Sequence, residues 1–488
     1  MRETDSHTIQ YKPISSLDLM ESASRAFLKI FMEEFPENSV NISIYAGTGN
    51  NGGDGLSIAR LLFLNGYKHL KVFVARFSDK ATEEFNTNLQ RLKLIEVPVR
   101  EIHKAAEITS ETADVVIDAL LGSGLNKPLE GEMKELVITL NALANTIVAV
   151  DIPTGFKAEG SINPEHTAIK ADLTITFQRP KINFLLPEAA DFVRYFQVAD
   201  IGLDEPFIQS TSGPYYLLTR HDIHSRLKTR LPFSHKGTFG HALLIAGSPE
   251  TMGAALLCAG ACLHTGAGLT SVCIPAAGLP ALNTSLPEVM AVVRNDAGDL
   301  SSVKWEKYQA VAIGPGLGTD ADSLTVVERT LKSYRKPLVI DADAINLIAA
   351  HYELMQLVPE YSVFTPHVKE FDRLFGDHKD WWSRLETGID RAVTLGCTII
   401  LKNRFTIIFT PEGRCLFNLT GSPSMATGGM GDTLTGMVAS FIAQGYRPED
   451  AAILGVYIHG SAGESINGYV VTPSRLIDTL PVAIKRYL

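Results

Sequence analysis

Residues 418–436 read NLTGSPSMATGGMGDTLTG and run from a turn-rich loop into an apolar helix predicted over residues 434–443. A cluster of glycines stands directly before Asp432. Glycines let the backbone approach a ligand closely, and a helix N-terminus offers unpaired N–H groups and the positive end of the helix dipole. The stretch therefore predicts an anion-binding loop at which the Asp432 carboxylate can take or give a proton. The alternative is that Asp432 only caps its helix.

The composition indicates a globular protein with more than one domain. Its 488 residues are too many for one ordinary core, and 45% of them are hydrophobic and 20% charged. A net charge of −10 argues against a nucleic-acid partner. No strongly apolar stretch is long enough to span a membrane, and the N-terminus lacks the pattern of a signal peptide. Five cysteines in apolar segments suggest reduced thiols, so we expect a cytoplasmic protein.

A second glycine-rich loop lies near the N-terminus. Residues 46–55 read AGTGNNGGDG and connect a predicted strand to a predicted helix. A strand, a glycine-rich loop and a helix in this order are typical of a dinucleotide- or phosphate-binding site. Within the loop, GTGNNG matches the GxGxxG spacing of a Rossmann fingerprint. The next strand, residues 71–75, is followed by Arg76 instead of an acidic residue. NAD bound as in ordinary dehydrogenases is therefore not expected.

Strands and helices alternate through the first half. Further strands are predicted over residues 114–118, 146–151 and 173–177. Alternation of this kind predicts an open, mostly parallel sheet, whose ligands lie beyond the carboxyl ends of the strands. Loops 118–124 and 151–155 lie at that edge, beside the glycine loop.

Polar side chains in these three loops predict a site. Asn51, Asp118 and Thr154 supply hard oxygens, which suit an alkali or alkaline-earth cation. Asp151 closes a predicted strand and is a candidate acid/base. The alternative is that Asp118 and Asp151 only cap turns.

A turn-rich linker over residues 209–214 is predicted to precede a second α/β domain. Its strands are predicted over residues 242–246, 270–274, 310–313, 337–340, 361–364, 398–401 and 406–410. Polar loops follow several of them, at residues 314–318, 341–346, 365–367 and 402–404. His367 alone would fit a structural role, and Lys402 and Arg404 alone a solvated surface. Their shared position at strand ends makes all three candidate ligand contacts.

Taken together, the motifs resemble the bifunctional NAD(P)H-hydrate repair enzymes over nearly the whole chain. GNNGGDG, DALLGSGL and DIPTG resemble the epimerase domain of that family, and HKGTFGHALLIAGS, GPGLG, DADAIN, TPHVKEF and GGMGDTLTG its dehydratase domain. The resemblance implies an α/β fold with a Rossmann-like epimerase domain over residues 1–208 and a ribokinase-like dehydratase domain over residues 215–488. Thr48, Thr154 and Met430 depart mildly from the family pattern, but Thr154 keeps a hydroxyl.

For the first domain, the resemblance implies exchange of the R and S forms of a nicotinamide cofactor hydrated at C6. Asp151 would act as acid/base at C6 and contact the hydrate, and Asn51, Asp118 and Thr154 would bind potassium. The other implied hydrate contacts are Asn50, Asn51, Gly52, Gly53, Asp54, Gly122, Ser123, Gly124, Leu125, Asn126, Lys127 and Pro128.

For the second domain, the resemblance implies that a nucleotide with Mg²⁺ phosphorylates the C6 hydroxyl of the S form, with Asp432 as the base. Hydrate contacts would be Ala254, Gly316, Gly318, His367 and Asp432. Nucleotide contacts would be Lys402, Asn403, Arg404, Phe405, Thr406, Ser422, Pro423, Ser424, Met425, Ala426, Thr427, Gly428, Gly429, Met430 and Gly431. ADP, giving AMP and phosphate, is favoured over ATP because the chain starts without a transit peptide. A homo-oligomer, a tetramer or larger, is also expected.

Two alternatives stay open at this point. A ribokinase-like small-molecule kinase would use the same anion loop and aspartate, although it would not need the first domain. A non-catalytic nucleotide sensor would not need Asp151 and Asp432.

Overall fold

The computed structural model describes residues 2–12, 14–95, 97–124, 127–163, 166–294 and 298–488. The chain divides into two compact units with the boundary between Ser212 and Gly213, except that residues 380–382 group with the first unit. Leu125 and Asn126, both predicted to bind the hydrate, lie outside the described residues.

The first unit is built on one parallel sheet. Its helices are α1 Arg2–Tyr11, α2 Ser16–Glu34, α3 Asn50–Leu64, α4 Glu83–Lys93, α5 Gly131–Leu143 and α6 Glu205–Ser210. Its strands are β1 Ile42–Ala46, β2 Leu70–Ala75, β3 Val99–Ile102, β4 Val115–Ala119, β5 Thr146–Val150, β6 Leu173–Phe177 and β7 Phe196–Ala199. The strands lie in the order β3-β2-β1-β4-β5-β6-β7, which contains the strand order of a Rossmann fold. Numbering falls across the sheet from β3 to β1 and rises from β4 onward, so the order reverses between β1 and β4.

The second unit is built on a larger mixed sheet. Its strands are β8 Tyr215–Leu217, β9 His241–Ile245, β10 Leu269–Pro275, β11 Met290–Arg294, β12 Ala310–Ile313, β13 Leu338–Ile340, β14 Val363–Phe364, β15 Thr398–Leu401, β16 Ile407–Phe409 and β17 Cys415–Phe417. Its helices are α7 Arg220–Arg226, α8 Met252–Thr265, α9 Leu279–Ser285, α10 Ala321–Ser333, α11 Ala342–Ala350, α12 Val368–Phe375, α13 Trp381–Leu395, α14 Met430–Ala443, α15 Pro448–Glu464 and α16 Pro473–Lys485.

Strands of this second sheet follow the order β11-β10-β9-β12-β13-β14-β15-β16-β17-β8. Strand β16 runs antiparallel to both neighbours, and the other pairs are parallel. The strands β1, β4, β12 and β15 are buried along their whole length, as expected for parallel strands covered by helices on both faces. The prediction of an α/β fold is thus confirmed.

Three local expectations were wrong. Helix α14 begins at Met430 and not at residue 434, because Gly429 adopts φ +92° at its N-cap and the glycine after Met430 enters the helix. Helix α6 extends to Ser210, so the irregular linker is shorter than predicted. Several edge strands were also missed.

All five cysteines are buried and unpaired, and none of the described helices is long and apolar enough to cross a membrane.

Candidate functional sites

In the first unit, the glycine loop lies directly against the loop that follows β4. Strands β1 and β4 are paired up to Ala46 and Ala119, so the chain segments after them are neighbours. The N–H of Gly47 donates to the carbonyl of Ala119 at 3.0 Å, and a Cβ on Gly47 would lie 2.0 Å from the carbonyl oxygen of Leu120. Only glycine fits here, which brings the two loops to one rim of the sheet.

Asp118 and Thr154 are in direct contact at this rim. The Thr154 hydroxyl donates to Asp118 Oδ1 at 2.7 Å, and the Thr154 N–H donates to Oδ2 at 2.7 Å. Burial raises the pKa of Asp118 to about 6, and the hydrogen bonds from Thr154 offset only part of that effect. A cation at this position would stabilise the ionised carboxylate.

Asn51 borders the loop after β4, whose Leu121 N–H donates to the Thr154 hydroxyl at 2.9 Å. A Cβ on Gly122 would stand 3.7 Å from Asn51 Oδ1, so the side chain borders the loop after β4. Asn51 Nδ2 is buried and has no hydrogen-bond partner among the described residues. Because its amide is not committed, Asn51 can turn its oxygen toward a bound cation. An amide oxygen, a carboxylate and a hydroxyl are hard donors, so the chemistry of the three predicted ligands is compatible with potassium.

Asp151 lies directly after β5 and adopts φ +64°, an uncommon conformation for a residue with a side chain. Its Oδ1 accepts hydrogen bonds from Lys181 Nζ at 2.6 Å, from the Phe177 N–H at 3.0 Å and from the Thr176 hydroxyl at 3.2 Å. The Lys181 side chain is only 8% exposed. The described contacts fix Oδ1 and so orient Oδ2 for a bound molecule.

Two further carboxyls face Asp151. Asp54 lies near the start of α3, and burial, followed by the charges of Asp151 and Asp5, raises its pKa well above the ordinary value. The pKa of Asp5, on α1, is also raised, first by burial. Sequence reasoning missed Asp5 and Lys181. Lys181 follows the carboxyl end of β6. Because ligands were expected beyond the carboxyl ends of the strands, Lys181 could have been predicted as a site residue.

The remaining hydrate contacts predicted for this unit spread along its loops. Asn50 opens α3, and Gly52 and Gly53 are buried in its first turn. Gly122 borders Asn51, whereas four others are exposed on the loop after β4: Ser123, Gly124, Lys127 and Pro128.

In the second unit, the N-terminus of α14 opens into a cavity of about 690 Å³. Most of the predicted nucleotide contacts line it, and these are Lys402, Asn403, Arg404, Thr406, Ser422, Pro423, Met425, Ala426, Gly429, Met430 and Gly431. His367 and Asp432 line it as well. Phe405, Ser424, Thr427 and Gly428 are interspersed with these residues but do not belong to the lining. The cavity is therefore a candidate nucleotide site.

Ala254, Gly316 and Gly318 form a separate cluster. A Cβ on Gly316 would stand 2.8 Å from the Cβ of Ala254, at the start of α8. The Gly318 N–H donates to Asp343 Oδ2 at 2.9 Å, which connects the loop after β12 to the loop after β13.

Asp432 is the third residue of α14, and the N-cap is Gly429, so the interpretation of Asp432 as a plain N-cap is wrong. Burial first, and then the negative charge of Asp341, raise the pKa of Asp432 to about 7, while Lys402 opposes the shift. A carboxyl with this pKa exchanges protons near neutral pH. Burial alone would lower the pKa of Lys402, but Asp341, Glu370 and Asp432 reverse that effect and raise it.

Three ionisable residues that line this cavity were missed. Asp341 pairs with Lys402, and Glu370 caps the same helix as His367, whose Nδ1 accepts the Glu370 N–H at 3.1 Å. His367 thus has a structural role and also lines the cavity. His459 Nε2 lies 3.0 Å from the Thr433 hydroxyl, and burial lowers the pKa of His459 to about 4, so its ring is neutral at pH 7.

Comparisons with known proteins match both halves of the chain. Residues 16–183 match the family described as YjeF-related protein N-terminus, and residues 242–482 match the family described as NAD(P)H-hydrate dehydratase. A bifunctional NAD(P)H-hydrate repair enzyme from Moorella thermoacetica is 34% identical over 97% of this chain and 93% of its own length. One from Thermofilum pendens is 34% identical over 91% of this chain and 87% of its own.

Among solved structures, a ribokinase-like superfamily protein from Enterococcus faecalis superposes with a TM-score of 0.52. It is 33% identical and covers 57% of this chain and 98% of its own. The second unit is therefore ribokinase-like, as predicted.

Proposed function

The chain belongs to the family of bifunctional NAD(P)H-hydrate repair enzymes, and from this premise we propose that it restores hydrated NADH and NADPH by two activities. The domain over residues 1–208 epimerises the R and S hydrates. The domain over residues 215–488 dehydrates the S form at the expense of a nucleotide. One observation carries the second assignment: Asp432, whose pKa is near 7, lies beside a glycine loop at a helix N-terminus in a large cavity.

In the dehydratase, Asp432 accepts the proton of the C6 hydroxyl as that oxygen attacks the terminal phosphorus of the nucleotide. The backbone N–H groups of residues 428–431 stabilise the charge that develops on the transferred phosphoryl group. The phosphorylated oxygen then leaves as phosphate, because the lone pair of the ring nitrogen forms a C=N bond to C6. Loss of a proton from C5 completes the reduced ring. Ala254, Gly316, Gly318 and His367 contact the hydrate in this proposal.

We assign the phosphoryl donor as ADP, which gives AMP and phosphate. No group of three or more His, Cys, Asp or Glu side chains in the described part of the chain could hold a metal ion. Mg²⁺ commonly keeps its waters and binds through substrate phosphates. The cavity at the N-terminus of α14 is therefore compatible with a magnesium–nucleotide complex. When bound, Mg²⁺ would neutralise charge on the phosphates.

In the epimerase, Asp151 serves as the acid/base at C6 and is oriented by Lys181. Asp151 protonates the C6 hydroxyl, which leaves one face of the ring as water while the lone pair of the ring nitrogen forms a C=N bond to C6. A water molecule then adds to the other face and returns a proton to Asp151, so the substrate is recovered with inverted C6. Asn51, Asp118 and Thr154 would hold K⁺, which supplies positive charge beside the hydrate phosphates. The glycine loop and the loop after β4 would hold those phosphates and sugars.

Product analysis tests this function against a kinase of the same fold. The protein is incubated with the S hydrate, Mg²⁺ and either ADP or ATP, and the phosphorus species are followed by ³¹P NMR. We expect AMP, free phosphate and restored absorbance of the reduced nicotinamide ring with ADP. A stable phosphorylated alcohol without recovery of that absorbance would overturn the proposal.

Assembly and location are further parts of the proposal. We expect a homo-oligomer of at least four copies in the cytoplasm. Light scattering coupled to size-exclusion chromatography tests the assembly, and a mass smaller than that of four 53.1 kDa chains would contradict it.

A further inference from the structure

Asp341 does not play the local role that its place in the chain favours. It follows β13 at the N-cap of α11, where an aspartate ordinarily accepts an N–H of the first helical turn. Here the side chain makes no capping bond, and the next residue, Ala342, adopts φ +47°. A left-handed alanine costs free energy, and such strain persists where other contacts require it. Asp341 is only 1% exposed, so its carboxylate must find partners inside the protein.

Those partners come from two other elements. Asp341 Oδ1 accepts from Lys402 Nζ at 2.8 Å, and Oδ2 accepts from the Thr435 hydroxyl at 2.7 Å. Lys402 follows β15, and Thr435 lies one turn after Asp432 on α14. The carboxylate thus ties the lysine to the helix that carries the proposed base.

This arrangement places the Lys402 ammonium at the anion loop. A Cβ on Gly431 would lie 3.2 Å from Lys402 Nζ, so the charge is adjacent to the first turn of α14. The helix N-terminus and the ammonium both face the space where the terminal phosphate of a nucleotide would lie.

We propose that Asp341 is a positioning residue for phosphoryl transfer: it holds the Lys402 ammonium against the anion loop and away from Asp432. The inference deepens the proposed dehydratase function and rests on it. Without the Asp341 carboxylate, the Lys402 ammonium would be left to Glu370 and Asp432, the other two carboxyls that raise its pKa. Asp432 would then be a poorer proton acceptor, and the ammonium would no longer meet the phosphate.

Several groups determine the charge state of Asp432. Asp341 faces it from the N-cap of α11, Asp343 from the first turn of α11, Glu370 from α12 and Lys402 from the end of β15. Cys258 on α8 and His459 on α15 also lie near this group of charges. Removing the Asp341 charge lowers the raised pKa of Asp432, so the acid limb of the dehydratase pH profile moves to lower pH.

The test is a double-mutant cycle between Asp341→Asn and Lys402→Met, with ADP and the S hydrate as substrates. Asparagine keeps the size of Asp341 and can still accept hydrogen bonds. We expect Asp341→Asn to lower kcat by about tenfold or more and to move the acid limb down by about one pH unit. If Asp341 acts through Lys402, the double variant is no slower than Lys402→Met alone.

Asp343→Asn is the matched control, because it removes a carboxylate from the same loop without touching Lys402. Its effect should be smaller and should add to that of Lys402→Met. Asp341→Glu keeps the charge but displaces the ammonium, and we expect it to lower kcat while the acid limb stays in place. The inference would be overturned if the effects of Asp341→Asn and Lys402→Met simply add. It would also be overturned if Asp341→Asn keeps the wild-type kcat.

Calorimetric titration with ADP and Mg²⁺ separates this inference from the proposed reaction, because binding needs no turnover. We expect Asp341→Asn to bind ADP about tenfold more weakly than the wild type. A wild type that binds ADP but leaves the hydrate unchanged would contradict the proposed function. Unchanged ADP affinity in Asp341→Asn would contradict the inference even if the wild type dehydrates the substrate.

Discussion

Both units contain a glycine-rich loop before a helix and a lysine–aspartate pair, but the lysine contacts a different kind of aspartate in each. In each, a glycine-rich loop leads into a helix that carries an aspartate near its start, Asp54 on α3 and Asp432 on α14. In each, a lysine pairs with a buried or partly buried aspartate that follows a strand. In the first unit that lysine, Lys181, contacts Asp151 itself, whereas in the second unit Lys402 contacts a neighbour of the proposed base.

This difference separates the proposed chemistries. In the first unit the Lys181 ammonium contacts Asp151 Oδ1 directly and so orients the proposed acid/base. Asp432 has a cation nearby without an ion pair, so its pKa remains about 7 and it can accept the hydroxyl proton. A lysine can thus orient a proposed acid/base by direct contact or lie beside it on a neighbouring carboxylate, depending on which aspartate it contacts.

The largest effect is expected from Asp432→Asn. Because the amide cannot accept the hydroxyl proton, dehydration should slow by about a thousandfold or more, while exchange of R and S hydrates continues. Absorbance of the reduced ring measures the first activity, and chromatography of the two epimers measures the second. Dehydration at the wild-type rate would remove Asp432 from the proposed mechanism.

Asp151→Asn should show the converse pattern. Epimerisation should slow by about a hundredfold or more, since the amide can neither protonate the leaving C6 hydroxyl nor take a proton from the incoming water, and dehydration of the S form should keep its rate. Lys181→Met is the companion variant, in which Asp151 remains but loses its ion pair, and we expect a smaller loss. Chromatographic rates decide this prediction, and a larger loss in Lys181→Met than in Asp151→Asn would contradict the ranking.

Thr154 tests the cation site. Thr154→Val removes the hydroxyl next to Asp118, so activation of epimerisation by K⁺ should weaken by about tenfold, as measured by titration with KCl against NaCl. Thr154→Ser keeps the hydroxyl and should retain the K⁺ response. The proposed site is wrong if the two variants respond alike.

The smallest effect concerns stability. The pKa of Asp432 is raised in the folded protein, so between about pH 4 and pH 7 the folded state binds more protons than the unfolded state. The free energy of unfolding therefore falls as pH rises through that window. Asp432→Asn should remove this loss and stabilise the protein at pH 8 by about 1–2 kcal/mol, with little effect at pH 4. Thermal unfolding at both pH values checks the sign, and equal changes at the two pH values would contradict it.

The sequence predicted the buried strands because long apolar runs bounded by glycine and polar loops are distinctive. It missed β3, β7, β8 and β11, which lie at sheet edges and expose part of their residues, so their alternation is weak. It also missed β17, which is buried but only three residues long. The first turn of α14 was missed because glycine is a poor helix former and masks a helix start.

Site residues at strand ends could also be predicted from the sequence pattern, but the ion pairs that they form with one another could not. Lys402 and Asp341 are 61 residues apart in the chain, and Lys181 and Asp151 are 30 apart. Nothing in the local pattern states which carboxylate a lysine contacts across the sheet. That choice depends on the packing of α14 and β15, and it governs the charge state of Asp432.

The most direct test of two activities in one chain is a progress curve. Equal amounts of the R and S hydrates are mixed with the wild-type protein, ADP, Mg²⁺ and K⁺, and absorbance of the reduced ring is followed faster than the epimers interconvert unaided. Complete conversion of both epimers is the predicted result. Conversion that stops at half would contradict the epimerase assignment, and no conversion would contradict the dehydratase assignment.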